Sequence, residues 1–382
     1  MRERVARNNA DLVPRAARDS RAASIAKLEL KAKPKIRVIH WVPYDAVGGV
    51  ETAARSIGIG DFDTLQFHRG YIANKSRKVS GKFEHHGLFS SENNPINYIQ
   101  AIIKTFNLRP DIIISSLWRS SIIALLAKVI RPETRVVAFI HSSSATHIID
   151  RVLTNILMRY SVEIWVDSKS TLDNRVQKRQ AYRSRIISFV LNDVKHPPRL
   201  SLTPSFIFWG RLHPHKGLNR ALRLFASVHR RYPTASFTII GPDAGAERNL
   251  RRLSRVLGVE ERVQFKGTMS YDQIAAEAAS HSFYLQTSER EGMAMSVVQA
   301  MQFGLVPVVT PVGEIANYCS EESSIIINND EKACEEVLKA LREPRTYYLR
   351  STAAQNYWNN KPLYREDVIS GCYEIMDKGN YK

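Results

Sequence analysis

Cysteine is scarce in this sequence. Its three cysteines, Cys319, Cys334 and Cys372, are dispersed near the C-terminal end, and no two of them form a Cys-x-x-Cys pair. An odd number of scattered cysteines argues against a disulfide framework and against a structural zinc site. We therefore expect a reducing compartment, the cytoplasm, and no structural metal.

Acidic residues are in deficit. The chain has 37 Asp and Glu against 55 Lys and Arg, which gives a net charge of +18. Such a balance predicts an acidic partner, and anionic lipid, a polyanion and a phosphate-rich ligand all fit it. Charge alone does not choose among these three.

The N-terminal region lacks the apolar run of a signal peptide, so secretion is not expected. Residues 1–34 are rich in Arg and Lys and poor in apolar side chains. This composition predicts a basic, flexible arm. An arm that binds a membrane surface or nucleic acid is the alternative.

One long stretch has no formal charge, between Glu291 and Glu314. It is long enough to suggest a membrane span, but Gly304, Pro307, Pro311 and Gly313 interrupt it. A helix over Met293–Phe303 followed by a strand over Leu305–Thr310 fits this punctuation better. The stretch therefore predicts a buried helix and strand with a carboxylate at their mouth.

The length of 382 residues predicts two domains, and 44% hydrophobic content is that of an ordinary globular protein. Predicted strands and helices alternate throughout, which is typical of an α/β fold with largely parallel sheets. We expect two facing Rossmann-like doubly wound domains with a cleft between them. The predicted boundaries are the arm 1–34, a first domain 35–195, a second domain 196–355 and a C-terminal segment 356–382.

Several local patterns refine this division. A proline-containing segment over residues 192–205 predicts the interdomain linker. Ile96, Ile99, Ile103 and Phe106 are spaced as on one face of an amphipathic helix. Residues 62–71 predict a strand, 72–94 a basic surface loop, and 186–190 the last strand of the first domain.

Four polar groups lie at the C-terminal ends of predicted strands. They are Gly48 with Gly49, His141, Arg211 with Lys216, and Glu291. Open α/β sheets bind their ligands at these ends, and two facing sheets would gather all four groups into one cleft. Alone, His141 could equally make a structural hydrogen bond, and the glycine pair is a weak turn signal.

The segment from Gly210 to Gly217 contains Arg211 and Lys216 between a predicted strand and a predicted helix. A turn of this length can direct both cations, and helix N-terminal amides, at one pair of phosphates. A solvated basic turn is the simpler alternative. His213 and His215 have no acidic or cysteine ligand nearby in sequence, so a metal site there is not expected.

Glu291 precedes a predicted helix whose first amides are free to bind ligand oxygens. Gln299 lies about two turns further along the same face. Acids are common at helix starts, and a surface amide needs no function, so neither residue alone identifies a site.

The order of the motifs is more specific than any one of them. Gly-Gly-Val-Glu follows the first strand, Gly-Arg-x4-Lys-Gly opens the second half, and Glu-Gly-x6-Gln-Ala-Met-x2-Gly-x-Val-Pro-Val-Val precedes Val-Gly-Glu-Ile. This order resembles the GT-B glycosyltransferases of family 4. The resemblance is strong from about 205 to 320 and thinner over 36–190, where the first loop, His141 and Asp167-Ser168 match.

The resemblance implies a retaining transfer of a hexosyl or related group from a nucleotide-sugar donor, without a metal or other cofactor. It implies that Arg211 and Lys216 stabilise the donor diphosphate. By this resemblance, the sugar hydroxyls would be bound by Glu291 and by the amides of Gly292, Met293 and Ala294, and the base and ribose would lie at Met269, Met295 and Gln299. Gly48 and Gly49 would allow close approach to the phosphates or the acceptor. His141 would contact the sugar near the reacting carbon. The resemblance also implies that the last helix crosses back to the first domain.

The sequence departs from the family pattern at two places. Gln299 stands where a second glutamate usually binds the ribose, and Met293-Ala294 stands where Phe-Gly is usual. An amide in place of a carboxylate loses a charge-assisted hydrogen bond of about 1–2 kcal/mol. We expect the phosphate site to persist and the donor affinity to depend on Gln299.

The leading hypothesis is a cytoplasmic glycosyltransferase that acts on a cell-surface glycan or a lipid-linked acceptor. Arg248, Arg251, Arg252 and Arg255 on one predicted helix would suit peripheral docking on the anionic inner face of a membrane, or would only solubilise the surface. The alternative is a degenerate, non-catalytic GT-B scaffold that binds a nucleotide or glycan. Nucleic-acid binding rests on charge alone, and a nucleotide-sugar epimerase is disfavoured by the motif order.

Overall fold

The computed structural model describes residues 35–46, 48–194 and 201–378. It contains two sheets flanked by helices, so the predicted α/β architecture is confirmed. The predicted arm over 1–34 lies outside the described residues, as do residues 195–200 of the predicted linker.

The first sheet has eight strands, in the order β2-β3-β1-β5-β6-β7-β8, with β4 paired to β3. Its strands are β1 (Ile36–Tyr44), β2 (Gly60–Phe62), β3 (Leu65–Ala73), β4 (Glu84–His86), β5 (Ile112–Ser116), β6 (Arg135–Ile140), β7 (Glu163–Val166) and β8 (Ser184–Ile186). The pairings of the described strands are parallel apart from β2 with β3.

Within the described residues, five α-helices accompany the first sheet: α1 (Gly49–Ser56), α2 (Pro95–Leu108), α3 (Trp118–Ile130), α4 (Ile148–Tyr160) and α5 (Lys169–Arg175). Helices α2, α3 and α4 cover one face, where Ala101, Ala124 and Leu157 share a core with strand residues. Helix α1 packs on the opposite face through Ala53.

Three sequence-based boundaries in this domain are wrong. The strand expected over 62–71 is two strands, because a turn at Asp63, with φ of 46°, folds β2 back on β3. The loop expected over 72–94 contains β4, which adds to the sheet edge beside β3. The strand expected over 186–190 ends at Ile186, and only an isolated bridge between Val190 and Leu363 follows.

The amphipathic pattern of α2 is present but faces the opposite way from a core-facing helix. Its apolar stripe, Ile96, Ile99, Ile103 and Phe106, is 45–56% exposed. The buried side carries Asn97, Ala101 and Thr105 instead. Thr105 Oγ1 accepts a hydrogen bond of 3.0 Å from Trp41 Nε1, and Tyr98, Ile102 and Leu108 pack on the core beside it, so this face combines polar pairing with apolar packing.

The second sheet has six parallel strands in the order β11-β10-β9-β12-β13-β14. They are β9 (Ser205–Trp209), β10 (Ser236–Ile240), β11 (Val263–Phe265), β12 (Phe283–Gln286), β13 (Val306–Val309) and β14 (Ile325–Ile326). This is the order of a doubly wound nucleotide-binding sheet, with its reversal between β9 and β12.

Over residues 201–378, which the structure describes, eight α-helices follow: α6 (Leu218–His229), α7 (Glu247–Val256), α8 (Tyr271–Ala278), α9 (Met295–Gln302), α10 (Ile315–Tyr318), α11 (Asp330–Arg342), α12 (Pro344–Asn359) and α13 (Tyr364–Lys378). The uncharged stretch is the unit formed by α9 and β13, both shorter than expected. Among the described residues, no helix is long and apolar enough to cross a membrane.

The last helix packs on the first domain. Tyr364, Val368 and Cys372 of α13 are buried in the core that contains Val38 and Ile114. At the crossing point the Tyr364 amide donates to the Val190 carbonyl oxygen at 2.7 Å. The segment before the linker and the segment that enters α13 therefore run side by side.

Candidate active site

The reversal of strand order in the second sheet places β9 beside β12. In a parallel sheet, this is where the connections leave in opposite directions and open a crevice. Trp209 ends β9 and Gln286 ends β12. Arg211 and Lys216 follow the first of these ends and Glu291 follows the second, so the predicted phosphate and sugar residues meet at one crevice.

The basic turn packs directly on the acidic loop. Gly217 ends a short 3₁₀ turn with φ of 66°, and a Cβ at this position would lie 1.9 Å from the Thr287 carbonyl oxygen. Only glycine allows this approach at this backbone conformation. The Thr287 hydroxyl donates to the Gly217 carbonyl oxygen at 2.6 Å, and the Glu289 amide donates to that of His215 at 2.9 Å.

Glu291 is held by three donors at one carboxylate oxygen. Lys216 Nζ lies 2.6 Å from Glu291 Oε1, the Ser288 hydroxyl 2.6 Å and Gln286 Nε2 3.0 Å. The side chains of Lys216 and Glu291 are only 15% and 9% exposed. A charge pair withdrawn from water to this extent needs both partners, so the site is organised around their contact.

A second glycine fixes the backbone of Glu291. Gly313 has φ of 57°, and a Cβ there would lie 2.1 Å from the Glu291 carbonyl oxygen. The next amide, that of Glu314, donates to the Gly292 carbonyl oxygen at 3.1 Å. The Val-Gly-Glu segment therefore supports the loop that carries Glu291.

Gln299 is held by a residue that the sequence analysis did not single out. Trp209 Nε1 donates to Gln299 Oε1 at 3.0 Å, which engages the amide oxygen within the protein. Trp209 also packs edge-on against Tyr284, at 4.6 Å between ring centroids. The Gln299 amide is thus oriented with its oxygen on the indole.

Met269 lies beside the same edge of the sheet. Its loop follows β11, and the Gly267 carbonyl oxygen accepts from the Gly241 amide at 2.7 Å. Gly241 in turn abuts Gly210, whose amide donates to the Ile240 carbonyl oxygen at 3.0 Å. These contacts place Met269 next to the basic turn, with its side chain packed on the second core.

The segment from Gly292 to Met295 lies between the domains. Met293 packs against both cores and Met295 against the first. Ala294 has φ of 53° and begins α9, a conformation that favours the glycine usual in the family pattern. A Cβ built on Gly292 would lie 3.5 Å from the His141 carbonyl oxygen, so this loop reaches the first domain.

Gly48 and Gly49 lie at the end of β1, where Gly48 precedes α1 in an extended conformation. A Cβ on Gly49 would lie 3.1 Å from Met295 Sδ across the cleft. Glu51 of α1 is buried, and burial raises the pKa of this carboxyl while the Arg55 and Arg211 cations oppose the shift. The influence of Arg211 on Glu51 places the exposed guanidinium opposite the first domain.

His141 follows β6 and belongs to a buried chain of hydrogen bonds. The Ser116 hydroxyl lies 2.8 Å from His141 Nε2 and 2.7 Å from His40 Nε2. Neither Nδ1 atom has a hydrogen-bond partner in the described part of the chain, although both are buried. Because one hydroxyl serves both rings, it donates to one and accepts from the other, and the two tautomers are coupled.

Both rings are neutral at physiological pH. Burial lowers the pKa of His40 to about 3, assisted by the Arg69 cation, and burial lowers that of His141 to about 3, assisted by His40. His141 is therefore an uncharged hydrogen-bonding group rather than a cation.

A cavity of about 450 Å³ opens next to His141. Tyr44, Ser142 and the N-terminal residues of α3 and α4, including Arg119 and His147, line it. It lies in the first domain, on the opposite side of the cleft from Lys216 and Glu291. The arrangement offers two neighbouring binding regions, one in each domain.

A carboxylate of the second domain caps a helix of the first. Glu314 accepts hydrogen bonds from the amides of Lys169 and Ser170 at 3.2 and 2.8 Å. These amides open α5, where an anion is stabilised by the free N–H groups. Burial raises the pKa of the neighbouring Asp167 to about 6, and the Glu314 charge adds to this shift.

The structure thus gathers the glycine pair, His141, Arg211, Lys216 and the Glu291 segment around one cleft, with Met269 at its edge. Sequence reasoning missed the residues that hold them, namely Trp209, Gln286, Ser288, Ser116 and His40. Trp209 could have been identified from the sequence, because it directly precedes Gly210-Arg211. Ser116 and His40 occupy other strands, and their pairing with His141 depends on the register of the sheet.

Comparison with known proteins agrees with this geometry. The family model described as "Glycosyl transferases group 1" matches residues 197–357. An α-mannosyltransferase of Xanthomonas oryzae, GDP-mannose:cellobiosyl-diphosphopolyprenol α-mannosyltransferase, is 28% identical over 46% of this chain and 48% of its own. A human phosphatidylinositol N-acetylglucosaminyltransferase subunit is 26% identical over 50% and 42%. The chain therefore spans about half the length of the curated relatives it matches.

Solved structures match over almost the whole chain. Anabaena HepE in complex with UDP-glucose has a TM-score of 0.70 at 16% identity, over 91% of this chain and 100% of that one. Sucrose-phosphate synthase from Thermosynechococcus elongatus has a TM-score of 0.74 at 12% identity, over the same shares. At these identities the likeness establishes the fold.

Two facing Rossmann-like domains with a site at the reversal of the second sheet define the GT-B architecture. The chain therefore has the GT-B fold, and its second half carries the match to the group 1 glycosyl transferases. The predicted resemblance is confirmed, and family 4 is consistent with these findings.

Replacing Asp167 by asparagine tests the buried carboxyl at the domain contact. Because its pKa rises from 3.8 to about 6 on folding, the wild type loses stability as pH rises between these values. The loss is about 3 kcal/mol at full ionisation. We expect the free energy of unfolding of Asp167→Asn, measured in urea, to rise by that amount relative to wild type as the pH increases from 4 to 7. Asp173→Asn, an exposed carboxyl on α5, is the control, and a pH-independent difference would contradict the assignment.

Replacing Ser116 by alanine tests the histidine chain. The change leaves two buried imidazole nitrogens without their shared partner, so stability should fall by about 1–3 kcal/mol. We also expect His141 to change from one tautomer to a mixture, observed by ¹⁵N NMR of the ring nitrogens. Ser115→Ala removes the neighbouring hydroxyl, which bonds Ser120 rather than a histidine, and should leave the tautomer unchanged. A single unaltered tautomer in Ser116→Ala would show that Ser116 does not orient the ring.

Proposed function

We propose that this protein is a glycosyltransferase that moves a sugar, with retention, from a nucleotide-sugar donor to a glycan or lipid-linked acceptor. The second domain binds the donor and the first binds the acceptor. The observation that carries the proposal is the Lys216–Glu291 pair at the β9–β12 reversal, beside Arg211 and opposite His141. The family match over the second domain supports the same assignment.

The two cations of the basic turn suit a departing nucleoside diphosphate. As the bond to the sugar breaks, negative charge accumulates on the diphosphate, and fixed cations stabilise that charge most in a site shielded from water. Lys216 pairs with Glu291 within the protein. A bound diphosphate competes for Lys216, which frees a Glu291 oxygen to accept from a sugar hydroxyl. Since Arg211 and Lys216 supply the charge, we propose that the reaction needs no metal.

The first domain supplies the acceptor side. The cavity beside His141 is large enough for a sugar ring with its neighbouring groups, and Arg119 at its wall suits an acidic acceptor. A neutral His141 would hydrogen-bond the transferred sugar without the attraction that a charged imidazolium would exert on the anionic diphosphate. No side chain here is assigned as a nucleophile, and retention rests on the resemblance to family 4.

The names of the relatives support the acceptor class. One acts on a diphosphopolyprenol-linked acceptor and another belongs to a phosphatidylinositol-modifying enzyme. By analogy we propose that this chain works at the cytoplasmic face of a membrane as a peripheral protein. The net charge of +18 would then attract the protein to anionic lipid. Nucleic acid is not a proposed partner.

Alanine at Arg211 or at Lys216 tests the phosphate assignment. Each change removes a charge-assisted contact of about 1.5–3 kcal/mol, so donor Kd should rise tenfold or more. The measurement is calorimetric titration with a panel of GDP- and UDP-sugars, with and without EDTA. Arg223→Ala removes an exposed arginine from α6 and serves as the control. Unchanged affinity in both site variants would disprove the phosphate role, and loss of binding on adding EDTA would disprove metal independence.

A degenerate scaffold is the second candidate, and Gln299 is the observation that favours it. With its oxygen engaged by Trp209, the amide has less acceptor capacity for a ribose diol than a carboxylate would have. We expect Gln299→Glu to lower donor Kd about tenfold, since the second carboxylate oxygen remains free for the ribose. Trp209→Phe, which removes only the indole donor, is the companion variant. If Gln299→Glu changes neither donor binding nor turnover, and the wild type shows no transfer, the scaffold is correct.

A further inference from the structure

The first domain exposes apolar side chains on three adjacent helices. Helices α2, α3 and α4 lie side by side on one face of the first sheet and share its core. We call the exposed apolar side chains of these helices, within residues 96–106, 126–130 and 148–160, the outer apolar face. Scattered apolar residues are normal at a surface, but contiguous ones mark an interaction site.

Helix α2 contributes four large apolar side chains at helical spacing. Ile96, Ile99, Ile103 and Phe106 are 45%, 56%, 52% and 48% exposed. The helix has this stripe toward solvent, while Tyr98, Ile102 and Leu108 pack on the core beside the buried Asn97, Ala101 and Thr105. The exposed stripe is therefore additional to the core-facing residues and is not part of the domain core.

The neighbouring helices continue the same side. Leu126, Val129 and Ile130 of α3 are 42–76% exposed. On α4, Ile148, Val152 and Ile156 recur every four residues and are 77%, 49% and 39% exposed, with Ile149 and Tyr160 beside them. Three adjacent helices with outward apolar stripes form one continuous face.

The charges on this face are of one sign. The three helices carry Lys104, Arg119, Lys128, Arg151 and Arg159. Their single acid within these described ranges, Asp150, is buried and bonded to Thr146 and Thr154. The basic loop over residues 75–82 adjoins α2, since Lys104 Nζ lies 3.3 Å from Ser80 Oγ. Apolar side chains framed by cations match the interface of an anionic bilayer.

The basic helix α7, singled out from the sequence, fits a membrane less well. Arg251 pairs with Glu247 at 2.7 Å and Arg255 with Glu260 at 3.2 Å, so half of its arginines are already partnered. Its exposed large apolar residue is Val256. Cations without an apolar stripe give only a weak, salt-sensitive attachment.

The outer apolar face also adjoins the cavity beside His141. Trp118 and His147, at the N-terminal ends of α3 and α4, both line the cavity and contact each other at 5.0 Å between ring centroids. Ile148 and Ile149 directly follow His147. A molecule with an apolar chain in the bilayer could therefore place its polar end in the cavity without leaving the membrane.

We infer that the outer apolar face of α2, α3 and α4 docks the protein onto an anionic lipid bilayer, with the His141 cavity turned toward the lipid headgroups. The docking itself rests on the exposed side chains and their charges. Delivery of a lipid-linked acceptor to the cavity rests, in addition, on the proposed function.

The test is flotation of the full chain with vesicles of phosphatidylcholine, with and without about a third of phosphatidylglycerol. We expect binding to the anionic vesicles, weakened by salt. Ile103→Gln with Val152→Gln should weaken that binding about tenfold or more, because two interfacial apolar side chains are lost. Val256→Gln with Leu349→Gln, at two still more exposed apolar positions in the second half of the chain, is the control and should change nothing.

A second matched pair separates the position of a charge from the total charge. Arg151→Gln with Arg159→Gln and Arg248→Gln with Arg252→Gln remove the same charge, from α4 and α7 respectively. The first pair should weaken binding about tenfold and the second should have little effect. Equal losses in both pairs would show that net charge, not this face, determines binding, and would overturn the inference.

Failure of docking and failure of the proposed function are distinguishable because flotation needs no sugar transfer. Transfer to a water-soluble acceptor without vesicle binding would overturn the docking face and leave the enzyme. Vesicle binding without transfer would retain the face and reject the enzyme. If vesicles do not bind and Ile103→Gln with Val152→Gln converts a dimer to a monomer in sedimentation, the face is a contact between copies of the chain and the inference is wrong.

Discussion

The contact between Lys216 and Glu291 unites two motifs that lie 75 residues apart. Each is placed by a strand end at the reversal of the second sheet, and each is held by its own glycine at a close backbone approach, Gly217 for the turn and Gly313 for the loop. Because the pair is largely withdrawn from water, either partner alone would be an unpaired charge in a poorly hydrated crevice. Internal neutralisation of Lys216 by Glu291 thus keeps the site assembled. A phosphate-bearing ligand has to replace that neutralisation, which favours ligands that bring both an anion for Lys216 and hydroxyl donors for Glu291.

Across the cleft, too, single residues support two parts of the structure. Glu314 serves the Glu291 loop through its backbone and the first domain through its side chain, so one residue connects the site to the domain contact. On the other side, His141 is oriented by a hydroxyl that also orients His40. The polar groups of the site are therefore fixed, in both domains, by neighbouring residues that are not assigned a contact with substrate. Rigid support of this kind is what keeps a binding geometry precise when the surrounding domains move.

Much of the architecture could be predicted because it depends on local patterns. Alternating strands and helices, the glycine-flanked basic turn and the interrupted uncharged stretch each reflect backbone geometry within a few residues. What could not be predicted depends on residues distant in sequence. The bond from Trp209 to Gln299 requires β9 to lie beside α9, and Ser116 reaches both histidines only in the observed register of β1, β5 and β6. The spacing of apolar residues in α2 correctly predicted a helix. It did not reveal which side of the helix meets the sheet, because Asn97 and Thr105 are buried there with hydrogen-bond partners.

The chain passes between the domains near Val190 and again near Leu363, and these two passages are joined by a backbone hydrogen bond at Tyr364. Two passages joined side by side restrict the relative rotation of the domains more than a single passage would. Cleavage near Leu363 would leave the domains covalently joined through the first passage, whereas cleavage near Val190 would leave them held by the packing of α13 on the core of the first domain. The two domains are therefore connected twice, by the passage near Val190 and by the passage near Leu363.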